Sequence, residues 1–154
     1  RRQRQMCIRD SLCAVCQAQL RIMKVRYPKP GIVYKGAIPV AEIALNTSDK
    51  YLAILISALL GNAYKFTQEG TISLECDRLG DDRVFVAVAD TGCGIPPEKH
   101  GYVFERFTKL DTFSQGNGLG LYLCRLIVTH LHGEIYIDSG YTGGTRIVAI
   151  LPRR

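Results

Sequence analysis

Residues 84–96 read Val84-Phe85-Val86-Ala87-Val88-Ala89-Asp90-Thr91-Gly92-Cys93-Gly94-Ile95-Pro96. A β-prone run ends on a carboxylate and passes straight into glycines. Alternate side chains of a strand share a face, so Asp90 lies with Val84, Val86 and Val88. If the valines face a core, the carboxylate arrives at its rim. There it needs a donor, and a ligand amino group would serve. Gly92 and Gly94 remove side chains just beyond it, so a flat ring can approach the backbone.

Outward from this stretch the chain reads as one domain. Residues 71–77 and 83–90 make a hairpin around Gly80-Asp81-Asp82. Upstream, a helix is predicted over 49–66, with Leu52, Leu55, Ile56, Leu59, Ala63 and Phe66 on one face and Thr47 or Ser48 as its cap. Leu12, Val15, Cys16, Gln19, Leu20 and Met23 mark an earlier helix, which Pro28-Lys29-Pro30-Gly31 ends. Two short β-prone runs, 32–35 and 42–46, lie between the helices. Downstream, 91–117 is rich in glycine and proline, with a short helix-like piece around 98–107. Connections this long in compact domains are usually functional or mobile. A helix over 119–131, closed by Gly133, and strands over 134–138 and 144–151 complete the order. The expected class is α+β, with helices on one face of a mixed or antiparallel sheet.

The 154 residues are 47% hydrophobic and 22% charged, ordinary globular usage for a single domain. No apolar run approaches the ~18 residues of a membrane span, and no segment resembles a leader peptide. The formal charge of +6 raises the question of a nucleic-acid or membrane partner. Residues 1–11 carry +3 and 153–154 carry +2, which leaves +1 for 12–152. The excess sits in a basic arm and a basic tail, so neither nucleic acid nor direct membrane contact is expected. The run RQMCIRDS at 4–11 resembles translated sequencing-adapter read-through, and the arm is kept out of the fold reading as a fusion scar is. Six cysteines scatter from Cys7 to Cys124. Cys13-x-x-Cys16 has no second pair and no correctly spaced His, so reduced thiols are expected.

Two further clusters carry chemistry. Ala58, Asn62 and Lys65 form a stripe bordering the buried face of the 49–66 helix. An Asn oxygen suits a hard cation such as Mg²⁺, and a Lys one turn away suits a phosphate, although a solvated helix edge has the same pattern. Gly116-Asn117-Gly118-Leu119-Gly120-Leu121 precedes a helix, where exposed backbone N–H groups favour an anion. It is not a dinucleotide fingerprint, because no strand leads into it and Leu121 stands at the third glycine position. A Walker A loop is absent.

In order and spacing these clusters resemble the ATP-binding catalytic domain of sensor histidine kinases, of the superfamily shared with DNA gyrase, heat-shock chaperone and mismatch-repair ATPases. Residues 59–67 (LLGNAYKFT) resemble its N box, 90–96 (DTGCGIP) its first glycine box, 103–109 (VFERFTK) its F box and 116–121 its second glycine box. Gly143-Gly144-Thr145 matches the terminal Gly-Thr.

The resemblance implies a two-layer α/β sandwich of the Bergerat type over 12–152, its mixed sheet covered on one face by about three helices, with a mobile ATP lid. It implies ATP and Mg²⁺ as cofactors. Asn62 would ligate the metal, with Asn117 contributing, while Lys65 would touch the phosphates and Arg106 steady the γ-phosphate. Asp90 would accept from the adenine amino group, supported by Thr145. Gly92 and Gly94 would admit the ring, flanked by Ile95 and Phe66. Gly116, Gly118, Leu119 and Gly120 would form the phosphate-binding end of the lid, and Phe104 and Phe107 its packing.

The partners implied are a His-bearing dimerisation domain of the same protein and, downstream, a response-regulator receiver domain. The isolated domain would be a monomer and its parent a homodimer. A bacterial, cytoplasmic setting is implied too, with a parent protein at the cytoplasmic face of the inner membrane. His100, His130 and His132 lack a His-box context and read as surface histidines. Ala58 departs from the pattern, since hydrolysing relatives place a general-base Glu there. This argues against vigorous ATPase activity but not against phosphoryl transfer, where positioning and charge stabilisation dominate. The alternative it leaves open is a nucleotide-sensing module that moves no phosphate.

Overall fold

The computed structural model describes residues 10–45, 49–95, 103–104 and 120–153. Among these residues three helices, α1 (Leu12–Arg26), α2 (Asp49–Phe66) and α3 (Gly120–His130), accompany seven strands. These are β1 (Asp10–Ser11), β2 (Ile32–Ala37), β3 (Ala44–Leu45), β4 (Gly70–Leu79), β5 (Arg83–Asp90), β6 (Glu134–Ile137) and β7 (Thr145–Pro152).

Five strands form one sheet in the order β2-β4-β5-β7-β6. β2 and β4 run parallel, and every other neighbouring pair is antiparallel. The sheet is therefore mixed, as expected, because parallel neighbours need a long crossover and α2 provides it. The helices share one face of the sheet. α1 packs on β2 and β4, α2 on β4 and β5, and α3 on β6 and β7. Alternation supplies the core: Ile72, Leu74 and Cys76, then Val84, Val86 and Val88, then Ile147, Ala149 and Leu151 are all buried. They meet Leu52, Leu55, Ile56, Leu59 and Ala63 of α2, the face anticipated from the helical period.

Three local features differ from the sequence reading. Asp10 and Ser11, assigned there to the arm, pair antiparallel with Leu45 and Ala44, and the Ser11 hydroxyl accepts from the Ala14 amide at 3.3 Å as the cap of α1. Among the described residues of the expected 42–46 run, Ala44 and Leu45 pair, and they do so outside the main sheet. The left-handed residue that ends α3 is His132 (φ 65°) rather than Gly133. Gly133 is needed for space, since a Cβ there would overlap the Ile150 carbonyl.

Arg153 is tied down as well. Its amide donates to Asp82 O at 2.8 Å and its guanidinium to Asp81 O at 2.9 Å. Thr47, Ser48 and most of the 91–119 connection lie outside the described residues, apart from 91–95 and 103–104. Val103 and Phe104 are buried in the core, consistent with the packing role expected of Phe104.

Candidate functional site

The far end of the sheet builds the site. Asp90 closes β5 on the core face and is 3% exposed. It stands in one cross-strand row with Ile72 of β4 and Thr145 of β7. Its Oδ1 accepts from the Gly92 amide at 2.8 Å, and the Thr145 amide also donates to the carboxylate. Burial nevertheless holds its pKa above the usual carboxylate value, because these two bonds only partly offset desolvation. A carboxylate has about four acceptor positions, so two backbone donors leave capacity for a third partner. Against Gly92, the Thr67 hydroxyl is the buried side-chain polar atom without a hydrogen-bond partner among the described residues. A buried acceptor and an unpaired hydroxyl fit a flat ligand that carries an amino group.

The glycines have two duties here. A Cβ on Gly92 would overlap the Phe66 carbonyl, so this glycine lets the loop close onto the end of α2. The sequence reading had given it to ring approach, and the structure adds this internal reason. One residue on, the Cys93 amide donates to the same Phe66 carbonyl at 3.4 Å. Gly94 takes φ +77°, and the atoms a Cβ would meet all belong to the Gly144 backbone, the nearest at 3.3 Å. Gly144 in turn lies against the Asp90 carbonyl, where no side chain fits. These close approaches bring the β5 loop, the 140–144 turn and the end of α2 together.

α2 supplies the remaining groups from its last two turns. Asn62 is half-buried and Lys65 exposed, and half-buried Ala58 lies one turn before Asn62 on the same stripe. Lys65 Nζ sits 5.8 Å from the Phe66 ring centroid. Ile95 is half-buried against the core beyond Gly94. Gly120 begins α3 and is exposed, with open space where a Cβ would stand. The structure thus brings Asn62, Lys65, Phe66, Asp90, Gly92, Gly94, Ile95 and Thr145 to one end of the domain. Arg106, Phe107, Gly116, Asn117, Gly118, Leu119 and His100 lie outside the described residues. His130 is exposed and stacks edge-on with Tyr51, ring centroids 5.2 Å apart, and His132 is exposed. Both are consistent with ordinary surface histidines.

Three supporting residues were not anticipated. The Tyr141 hydroxyl donates to Asp90 O at 3.2 Å and ties the 140–144 turn to the end of β5. The Thr91 hydroxyl accepts from the Thr71 amide at 3.0 Å. Lys29 Nζ donates to Thr67 O at 3.3 Å and lies 4.5 Å from the Tyr64 ring centroid, a cation at the C-terminal end of α2. The 28–31 turn signal marks the Lys29 turn, but nothing local says that it folds back 38 residues along the chain.

Among the described residues no helix is long and apolar enough to cross a membrane.

Comparison with known proteins gives a consistent picture. A family model described as "Histidine kinase-, DNA gyrase B-, and HSP90-like ATPase" matches residues 47–154. The adaptive-response sensory kinase SasA of Gloeothece citriformis is 33% identical over 141 residues, covering 90% of this chain but 36% of that protein. The chain therefore spans about a third of that relative's length. Among solved structures, the mycobacterial sensor histidine kinase MprB superposes with a TM-score of 0.82 at 24% identity, covering 95% of this chain and 98% of that one. Full-length ShkA in complex with AMPPNP superposes with a TM-score of 0.80 at 25% identity, covering 94% of this chain and 30% of that one.

Proposed function

The chain belongs to the histidine kinase-, DNA gyrase B- and HSP90-like ATPase family, and from that premise we propose that it is the ATP-binding catalytic domain of a two-component sensor histidine kinase. It binds Mg²⁺–ATP at the end of the sheet and passes the γ-phosphoryl group to a His on a separate dimerisation domain. A receiver domain takes the phosphoryl group next. The observation that carries this reading is Asp90, a buried carboxylate with spare acceptor capacity at the rim of the core.

Each residue has a physical role in this reading. Asp90 accepts from the adenine amino group, and the Gly92 and Thr145 amides hold its carboxylate in place. The left-handed Gly94 carries the chain past the ring, with Ile95 and Phe66 as apolar flanks. Lys65 offsets phosphate charge, and Arg106 does the same from the lid. Gly116, Gly118, Leu119 and Gly120 would offer backbone N–H groups to the phosphates, the role the glycine-rich run implies. Asn62, with Asn117, would hold Mg²⁺, which would neutralise phosphate charge.

Ala58 leaves no carboxylate one turn before Asn62 to activate water. The acceptor is then an incoming imidazole rather than solvent, which favours transfer over hydrolysis. The SasA kinase, at 33% identity, supports the histidine kinase branch of the family.

Calorimetric titration of the chain with Mg²⁺–ATP and Mg²⁺–ADP tests binding. Adding a dimerisation domain in trans and detecting phosphohistidine tests transfer. A folded chain that binds neither nucleotide overturns the reading. Binding without phosphohistidine on any dimerisation domain from the same gene leaves the nucleotide-sensing alternative standing in its place.

A further inference from the structure

The net charge of residues 12–152 conceals an asymmetry. Residues 12–41 carry five Lys or Arg and no Asp or Glu (+5), whereas 42–152 carry nine against thirteen (−4). The basic segment builds one wall of a cavity of about 450 Å³ between α1 and α2. Met23, Tyr27 and Lys29 form that wall, and α2 supplies the other from Ser57, Gly61, Tyr64 and Lys65. Neither Asp nor Glu is among the described residues that line it. Ser57, Gly61 and Tyr64 repeat at four- and three-residue steps along one flank of α2, while Ala58 and Asn62 hold the next flank. Lys65 follows Gly61 by four residues and Asn62 by three, so it stands on the boundary between the cavity and the nucleotide stripe.

The lining joins an apolar body to cationic groups. Met23 is buried, and the Tyr27 and Tyr64 rings are tilted by 54° with centroids 5.2 Å apart. Lys29 Nζ lies 4.5 Å from the Tyr64 centroid and donates to Thr67 O at 3.3 Å. An ammonium has three donors, so two remain for a ligand. Gly61 is inside a helix, where glycine costs stability, yet a Cβ there would meet no atom within 4 Å. Packing gives this glycine no reason. Its effect is to leave the α2 wall bare.

The geometry points to a second ligand site in this cavity, for a small aromatic carboxylate or sulfonate, that shares Lys65 with the nucleotide phosphates. The volume falls within the roughly 300–1,000 Å³ of small-molecule sites. The ring of such a ligand packs against Met23, Tyr27 and Tyr64, and its acid group takes the free donors of Lys29 and Lys65. Exposed Arg21, Lys24 and Arg26 on the same helix draw anions toward it. Inorganic phosphate would leave the apolar lining unfilled, and an acidic peptide needs a longer groove than the last turn of α1 offers. The coupling, unlike the cavity, rests on the phosphate role proposed for Lys65. One ammonium cannot serve both anions fully, so each ligand weakens the other by the same factor.

The test titrates the full chain with anilinonaphthalene sulfonate, read by fluorescence, and with phenylnaphthylamine, its analogue without the acid group. Saturable binding of one equivalent of the sulfonate is expected. Lys29→Met should weaken it roughly tenfold or more and leave the neutral amine unchanged. Gly61→Leu, which fills the cavity from its bare wall, should abolish both. ATP should weaken the sulfonate, and adenosine should not. Sulfonate affinity unchanged by Lys29→Met, or displacement by adenosine as strong as by ATP, overturns the site. In a chain that binds ATP, sulfonate binding indifferent to ATP overturns the sharing of Lys65. A chain that binds no nucleotide defeats the catalytic reading instead, and the Lys29→Met comparison with the neutral analogue still decides the cavity, even if Gly61→Leu fails to fold.

Discussion

Asp90 and Thr145 stand directly opposite each other across the β5–β7 ladder, and the Thr145 amide donates to the Asp90 carboxylate. The two residues are 55 positions apart and belong to different sequence motifs. Strand register makes them one recognition unit. The close packing of Gly144 against the Asp90 carbonyl, and the Tyr141 hydroxyl bonded to that same carbonyl, hold the unit together.

Asp90→Asn should weaken adenine nucleotide binding by ~1.5–3 kcal/mol, the value of a charged hydrogen bond, or roughly 10- to 150-fold in Kd by titration. The folded pKa of Asp90 is raised, so its proton is lost only above the ordinary carboxylate value of 3.8. Nucleotide affinity should therefore begin to fall on acidification before pH reaches that value. Stability has the opposite sign. Ionising a carboxylate with a raised folded pKa costs stability as pH climbs from the unfolded value through the folded one. The gain of Asp90→Asn over the parent should be absent at acid pH, grow through that window and level off above it.

The glycines make an internally controlled series. Gly92→Ala and Gly144→Ala place a methyl group on the Phe66 and Asp90 carbonyls, and each should cost ~1–3 kcal/mol or more in thermal unfolding. Gly61→Ala lies inside α2 with open space at the Cβ position, and should stabilise by ~0.5–1 kcal/mol. Equal effects at all three would sink the packing account.

Lys65→Met removes a cation aimed at phosphates while keeping most of the apolar stem. ATP and ADP affinity should drop, and adenosine affinity should hardly change. Asn62→Ala should instead lose the Mg²⁺ dependence of nucleotide binding. Titrations with and without the metal separate the two, and a Lys65→Met variant that binds adenosine and ATP equally worse would contradict the assignment.

Cys93 is the exposed thiol among the described cysteines, and it stands between Gly92 and Gly94. The Cys124 thiol, by contrast, is pushed up to about 12 by burial. Iodoacetamide should label Cys93 ahead of Cys13, Cys16, Cys76 and Cys124, and saturating ADP should slow that reaction. Unchanged labelling with ADP bound would place the nucleotide elsewhere.

Much of this was legible locally. The period of α2, the alternation of β5 that puts Asp90 on the valine face, and the stripe of Ala58, Asn62 and Lys65 all follow from 3.6- and 2-residue repeats. Such repeats need only a few neighbouring residues, and the structure returns α2 and β5 at the bounds read from the sequence. The basic arm was read less well. Composition alone detached Asp10, Ser11 and Arg153, yet each bonds to the 44–45 segment or to the 81–82 turn. Charge counting is blind to backbone partners.

The fold class, the faces of the elements and the types of group at the site were readable from residue order alone, because those depend on short-range periodicity and side-chain chemistry. Which distant segments meet emerged with the three-dimensional packing. Thr145 beside Asp90 and Lys29 on the end of α2 both depend on sheet register and helix packing. Register and packing are set by burial of the whole core at once, and no local window of sequence contains that sum.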